Sequence, residues 1–141
     1  TEVLELKKIK ASEVIASKLG LGKGEPVVYL YRRRFADNEP IVLQKTYLSC
    51  KKCGFILDCD FTKDSLYKSL ARTNQTKVVR VQRIVEVDEA TNEDAENLEI
   101  AMGKPIQSFT TTGFNVFGEV IEFSLARYRG DRSRFEVSAN I

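Results

Sequence analysis

Two arginines, two residues apart in an otherwise apolar and aromatic segment, are the side chains best suited to chemistry. Arg32 and Arg34 belong to the run Pro26–Phe35, whose β-branched and aromatic residues predict a strand. Residues two apart on a strand point to the same face, so both guanidiniums would lie on one side of a sheet. A guanidinium binds phosphate or carboxylate oxygens through paired hydrogen bonds. The pair therefore predicts a site for a small anion.

Further polar side chains fall on strands that should be half buried. Gln44 lies on the returning strand of the same hairpin, where it could come near the arginines. In the strand that follows Glu119, alternation places Glu122, Ser124 and Tyr128 on one face. The other face receives Ile121, Phe123, Leu125 and Arg127. A carboxylate and hydroxyl groups beside two guanidiniums suit a small, anionic, hydroxylated ligand.

A predicted helix could add another contact for the anion. Apolar residues four apart predict a helix over about 63–71. Its first N–H groups and the positive end of its dipole would attract an anion, and Ser65 could add its hydroxyl. Asp64 is the expected capping residue of this helix, with Thr62 as the competing candidate.

Each of these features also has a simpler interpretation. Alternating arginines such as Arg32 and Arg34 usually belong to a solvated sheet face on which they pair with acids. Ser65 would then be an ordinary residue of a first helical turn. Glu122 and Tyr128 would be surface residues at the rim of the sheet.

Composition excludes several kinds of catalytic site. The chain has no histidine, so neither a Ser–His nor a Cys–His nucleophile pair can form. Gly20, Gly22 and Gly24 precede a predicted strand, whereas phosphate-binding glycine loops precede a helix. No pair of carboxylic acids stands out for acid–base work. We therefore expect a binding domain without a cofactor, and not an enzyme.

Three cysteines, Cys50, Cys53 and Cys59, lie in one short segment. Their odd number indicates free thiols in a reducing compartment. The spacing of Cys50 and Cys53 resembles half of a zinc site, but a closed zinc site has four ligands and the chain offers no histidine. Ordinary loop cysteines are expected, and no metal site.

The overall composition is that of one globular domain. Of 141 residues, 43% are hydrophobic and 30% are charged, and the 22 basic and 20 acidic side chains are interspersed. A dedicated nucleic-acid surface would need clustered basic residues. No stretch approaches the ~20 apolar residues of a membrane helix, and no signal peptide opens the chain. A cytoplasmic domain is expected, and Thr1 in place of an initiating Met indicates a piece of a longer protein.

Local patterns predict an α+β domain with a mainly antiparallel sheet flanked by helices. Ser12 can cap a first helix that ends at Gly20, and Thr91 can open a later one. Two hairpins are predicted, one with its turn at 36–39 and one joined at Phe117–Gly118. The remaining predicted elements are a loop at 50–60, a strand at 76–87 whose alternating valines are interrupted at Arg83, and a final strand at Arg134–Ser138.

Five segments of the chain carry a family resemblance. They are Tyr31–Leu48, Asp64–Tyr67, Gln82–Glu86, Gly118–Glu122 and Tyr128–Arg132. Together they resemble the UTRA domain, the ligand-sensing half of HutC-type transcription regulators in the GntR superfamily. The resemblance implies a single effector-binding domain over 1–141 with a chorismate-lyase-like fold, usually as a homodimer. It also implies an upstream winged-helix domain, outside this sequence, through which the whole protein would bind DNA.

The resemblance assigns roles to the candidate residues. In members that bind phosphorylated amino sugars, the residues matching Arg32, Arg34 and Ser65 hold the phosphate. Those matching Glu122 and Tyr128 contact the sugar. Gln44 departs from the pattern, because the family commonly has glutamate at this position.

The function expected from the resemblance is that of an allosteric sensor. A small anionic effector, a sugar phosphate or amino-sugar phosphate, would bind the domain and change how the regulator binds DNA. The alternative on the same fold is a lyase that acts on a chorismate-like dianion. A third possibility is a plain dimerisation module whose pocket binds nothing.

Overall fold

The chain folds into six strands and four short helices. The computed structural model describes all residues from Thr1 to Ile141. The strands are β1 (Glu2–Lys10), β2 (Pro26–Ala36), β3 (Glu39–Ser49), β4 (Arg80–Glu89), β5 (Pro105–Phe114) and β6 (Val120–Arg129). The helices are α1 (Glu13–Leu19), α2 (Cys50–Cys53), α3 (Leu66–Leu70) and α4 (Asn92–Leu98), with 3-10 turns at Gly54–Asp58 and Gly130–Arg132. The longest helices have seven residues, and none could span a membrane.

The strands form one sheet in the order β1-β2-β3-β6-β5-β4. Every neighbouring pair is antiparallel, which confirms the predicted α+β class with an antiparallel sheet. The predicted hairpin between β2 and β3 turns through Asp37 and Asn38, whose φ values are 51° and 65°. Asp and Asn tolerate this left-handed conformation, and the twist of such a turn matches that of the strands.

Helices cover the two faces of the sheet unequally. On one face, α1 and α4 bury the aromatic side of β2, with Leu19 against Val27 and Leu98 against Tyr31. On the other face, α2, the adjoining 3-10 turn and α3 pack on one end of the sheet around Leu30. The other end of this second face has no helix over it, and the polar side chains of β2, β3 and β6 lie there.

Two helices are capped as the sequence predicts. The Ser12 hydroxyl accepts a hydrogen bond from the Ile15 backbone N–H at 3.2 Å, and Gly20 ends α1 with φ 69°. At the start of α4, Thr91 and Asp94 form a reciprocal capping box. Each cap satisfies backbone N–H groups that have no partner within the helix.

A buried carboxylate holds α4 against the sheet. Asp94 is 1% exposed, and both of its carboxylate oxygens lie 3.0 Å from Nε of Arg127 on β6. Burial alone favours the neutral acid, but hydrogen bonds from Arg127 and Thr91 outweigh it, so the pKa of Asp94 is lowered. Arg127 also contacts Asp88 at 3.0 Å. This network lies on the face opposite the polar side chains of β2.

Three predicted elements were wrong in detail. The segment 50–60 is largely helical, because the Ser49 hydroxyl caps a turn that continues through the 3-10 residues. The second helix spans only Leu66–Leu70, and its cap is Ser65 rather than Asp64 or Thr62. Arg134–Ser138 is not a strand, since it pairs with no strand of the sheet.

Candidate functional site

A cavity of about 310 Å³ lies between the open end of the sheet and α3. It is lined by six of the seven side chains that the sequence indicated, namely Arg32, Arg34, Gln44, Ser65, Glu122 and Tyr128. The seventh, Ser124, does not line it. Phe61, Asp64, Tyr67 and Arg83 line it as well.

The strand register explains why distant residues meet in this cavity. Arg32 lies opposite Gln44, and Gln44 lies opposite Ala126 on β6. Residues directly opposite each other in antiparallel strands share a face, and the same face recurs at every second residue. Glu122 and Tyr128 therefore join Arg32 on one side of the sheet.

Arg32 is a buried guanidinium without a protein partner. Arg32 is only 9% exposed, and its Nε atom is buried without a hydrogen bond. It forms no salt bridge with any acid. Burial and the neighbouring charge of Arg34 lower the pKa of Arg32, and the attraction of Glu122 only partly opposes them. The fold therefore holds the charge of Arg32, at the base of the cavity, in surroundings less favourable to it than water.

Glu122 is the one buried acid of the cavity, at 2% exposure. One carboxylate oxygen accepts a hydrogen bond from the Tyr67 hydroxyl, and the other accepts one from Ser124 Oγ at 2.8 Å. Ser124 Oγ in turn lies 2.9 Å from Thr46 Oγ1. Ser124 thus orients Glu122 from behind, where the sequence had suggested a direct contact. Burial, followed by the charge of Glu122, raises the pKa of Tyr67.

Gly113 on β5 makes room for this carboxylate. A Cβ atom on Gly113 would lie 2.8 Å from Glu122 Cγ and 3.1 Å from a methyl group of Val78. Both distances are shorter than a normal carbon contact. Only glycine lets Glu122 occupy its present position opposite β5.

Arg83 is a lining residue that the sequence interpretation missed. Its Nε donates to Thr111 Oγ1 at 3.3 Å, from β4 to β5. The sequence does contain a sign of this role, because Arg83 interrupts the alternating valines of β4 at a position where a valine is expected. Tyr67 was also missed, because the turn of α3 that brings it to Glu122 leaves no pattern in the sequence.

Ser65 lies at the mouth of the cavity and caps α3, with Oγ accepting from the Lys68 N–H at 3.5 Å. Because α3 has only five residues, its dipole is small and contributes little to holding an anion. The positive charge of the site comes instead from three arginines, Arg32, Arg34 and Arg83.

The cysteines lie apart from this cavity lining. Cys53 is fully buried among Ile56 and Leu70, with Cys50 and Cys59 packed against the same cluster. Burial raises the pKa of the Cys53 thiol to about 11. They belong to the hydrophobic core beneath α2, and the structure contains no group of three or more potential metal ligands.

Comparison with known proteins identifies the family. The profile of the UTRA domain matches residues 1–134. The chain is 30% identical to the HTH-type transcriptional regulator GmuR of Bacillus subtilis strain 168, over 94% of this chain and 60% of that protein. It is 26% identical to the HTH-type transcriptional repressor NagR of the same organism, over 96% of this chain and 55% of that protein. The chain thus spans little more than half the length of these two relatives.

A solved structure shares the fold. The ligand-binding domain of a putative GntR-family transcriptional regulator from Bordetella bronchiseptica superposes with a TM-score of 0.86 at 21% identity, covering 99% of this chain and 89% of that chain. With the profile match, this confirms the resemblance drawn from the residues. The chain belongs to the UTRA domain family.

Proposed function

We propose that this domain binds a small anionic metabolite and, as the effector domain of a transcription regulator, transmits that binding to DNA. The observation that carries the proposal is Arg32, a buried guanidinium with no protein partner, beside Arg34 in a cavity. Burying an unpaired polar or charged group is unfavourable unless a partner arrives. An anion bound between the arginines would supply that partner, each charge-assisted hydrogen bond contributing roughly 1.5–3 kcal/mol.

The remaining lining residues suit a hydroxylated ligand, and a sugar phosphate or amino-sugar phosphate fits them best. An ionised carboxylate accepts up to about four hydrogen bonds, and Glu122 accepts one at each oxygen within the chain. It therefore has capacity for a hydroxyl or amino group. Gln44 and Tyr128 add uncharged polar groups to the same wall. A volume of about 310 Å³ lies in the range of small-molecule sites.

The regulatory part of the proposal rests on the relatives. GmuR and NagR are HTH-type regulators longer than this chain, so we propose that a separate domain of the whole protein binds DNA in the cytoplasm. An effector changes DNA affinity only through different affinities for two arrangements of the protein. The coupling expected is about 1–3 kcal/mol, or roughly a 5–150-fold change in operator affinity.

The first test is a thermal-shift screen of the domain against phosphorylated sugars and amino sugars, with the unphosphorylated sugars as matched controls. A ligand at 100 times its Kd should stabilise the domain by about 2.7 kcal/mol. We expect such a shift from a phosphorylated compound and none from its unphosphorylated counterpart.

Two outcomes would contradict this function. The first is the absence of a thermal shift with any anionic metabolite, which would indicate a vestigial pocket. The second is conversion of chorismate to 4-hydroxybenzoate, detected by absorbance or chromatography, which would indicate a lyase. We expect no turnover, since the lining offers no histidine and no second buried acid to form an acid–base pair with Glu122.

We also propose that the exposed strand β4 forms the contact of a homodimer. β4 is an edge strand, and all ten of its residues are exposed. Ile84 is 55% exposed and Val87 is 83% exposed. Exposed apolar edge strands pair readily with other chains.

The dimer contact is testable with charge substitutions that a single chain tolerates. We expect Ile84→Glu with Val87→Glu to give a monomer by sedimentation equilibrium at concentrations where the unaltered domain is a dimer. Val116→Glu, at an exposed valine of the β5–β6 turn, is the control and should leave the dimer intact. An unaltered domain that is monomeric, or a double variant that stays dimeric, would exclude this contact.

A further inference from the structure

A second cavity, of about 360 Å³, adjoins the first along the same face of the sheet. The two share three lining residues, Gln44, Arg83 and Tyr128, so they form one continuous groove. Beyond the shared wall, the second cavity is lined by Phe109 of β5 and by Phe135 of the segment that follows β6.

The second cavity has an aromatic wall that the first lacks. Phe109 stands edge-on to Tyr128, with ring centroids 5.2 Å apart at 67°. It also stands edge-on to Phe135, at 5.2 Å and 74°. The three rings are only partly buried, and Phe135 is 45% exposed. Partly exposed aromatic faces in a groove favour a flat or ring-shaped partner with an apolar side.

Beyond the shared wall, the polar groups of the second cavity have partners within the chain. Gln107 accepts a hydrogen bond from Ser133 Oγ at 2.6 Å, which leaves the amide NH₂ of Gln107 available. Arg132 is already paired with Glu39, and Arg134 points to solvent beside Glu136. Beyond Arg83 of the shared wall, the arginines of the second cavity are therefore paired with acids of the chain. The groove changes along its length from an anion site to an aromatic site whose own charges are paired.

We propose that the effector is a two-part molecule, a phosphorylated glycoside whose second ring occupies the aromatic cavity. The phosphate would lie between Arg32 and Arg34, and a sugar would cross the shared wall of Gln44, Arg83 and Tyr128. An uncharged ring attached at the anomeric carbon would reach Phe109 and its neighbours. This inference rests on the proposed function, because it extends the same site.

The test compares matched pairs of ligands by isothermal titration calorimetry. Each pair is a hexose 6-phosphate (glucose, galactose, mannose or N-acetylglucosamine) and its 4-nitrophenyl β-glycoside 6-phosphate. In any pair that binds, we expect the glycoside to bind at least about tenfold more tightly. Equal or weaker binding of the glycoside in every binding pair would overturn the two-part effector while leaving the anion site intact. If no compound of either kind binds, the proposed function itself fails.

A variant locates the gain in the second cavity. Phe135→Ala should remove most of the advantage of the glycoside while leaving the affinity for the parent hexose 6-phosphate unchanged. Phe117→Ala removes a ring of similar exposure (66%) from the β5–β6 turn, away from the groove, and should change neither affinity. If Phe135→Ala weakens the binding of both ligands, or of neither ligand, the second ring lies elsewhere.

Discussion

Replacing Arg32 with methionine is expected to abolish binding of the anionic effector and, at the same time, to stabilise the domain without ligand. The pKa of Arg32 is lowered by burial and by Arg34, which means that the folded state disfavours its charge. Methionine keeps the apolar stem of the side chain, to about the position of Nε, without the charge. Glu122 retains its hydrogen bonds from Tyr67 and Ser124. A gain of about 1 kcal/mol in unfolding free energy is expected, since an unsatisfied buried donor costs roughly 1–3 kcal/mol.

Loss of binding should be large, because the charge-assisted bonds of one guanidinium contribute roughly 1.5–3 kcal/mol each, or a factor of at least about ten in affinity. Urea unfolding, with and without the best ligand of the screen, measures both effects on one variant. Arg33→Met is the matched control. Arg33 points to the opposite face, where it bonds to Glu2 and to the carbonyl oxygen of Asn97. This control should lose stability and keep the ligand. An Arg32→Met domain that binds normally would remove Arg32 from the site.

Replacing Asp94 with alanine is expected to destabilise the domain by about 3–5 kcal/mol, the usual cost of breaking a buried ion pair. Asp94 is 1% exposed and bonds to Arg127 and to the Thr91 backbone N–H at 2.9 Å. Its loss would leave Arg127 with only the exposed Asp88 as an acidic partner and would remove the α4 capping box. The comparison is Asp131→Ala, which removes an exposed ion pair with Arg129 and should change stability little.

The same carboxylate gives a pH dependence with a defined sign. The pKa of Asp94 is lowered in the folded state. The charged carboxylate therefore contributes fully to the unfolding free energy at pH values above the unfolded pKa of about 3.9. This contribution is lost as the pH falls below that value and through the folded pKa. In Asp94→Asn this part of the acid-induced loss of stability should disappear, as urea unfolding between neutral pH and pH 3 would show. An Asp94→Ala domain as stable as Asp131→Ala at neutral pH would mean that the pair does not hold α4 in place.

The parts of the site that sequence could predict are those encoded locally. Arg32 and Arg34 share a face because strand residues alternate. The Asp37–Asn38 turn, together with a one-residue bulge at Ile41, sets Gln44 opposite Arg32. The same alternation placed Glu122 and Tyr128 together on β6. These features depend on neighbours within one hairpin or one strand, so the residue pattern contains them.

The parts that could not be predicted depend on contacts between distant segments. Arg83 reaches the cavity because β4 lies at the far edge of the sheet beside β5, an order that hairpin patterns alone do not fix. Ser124 has the right periodicity, but Thr46 on the adjacent strand and Glu122 on its own strand both bond to it, so it stands behind the cavity. The alternating segment after Arg134 has the composition of a strand and no neighbour within the chain to pair with.

The most direct test of the anion site is the Nε–H signal of individual arginines in ¹H–¹⁵N NMR spectra, recorded while a phosphorylated ligand is added. Arg32 and Arg33 both have a buried Nε without a partner, on opposite faces of β2. We expect the Arg32 signal to shift and to exchange more slowly with solvent as the site fills, while the Arg33 signal stays unchanged. A ligand that stabilises the domain without moving the Arg32 signal would contradict an anion held in this cavity.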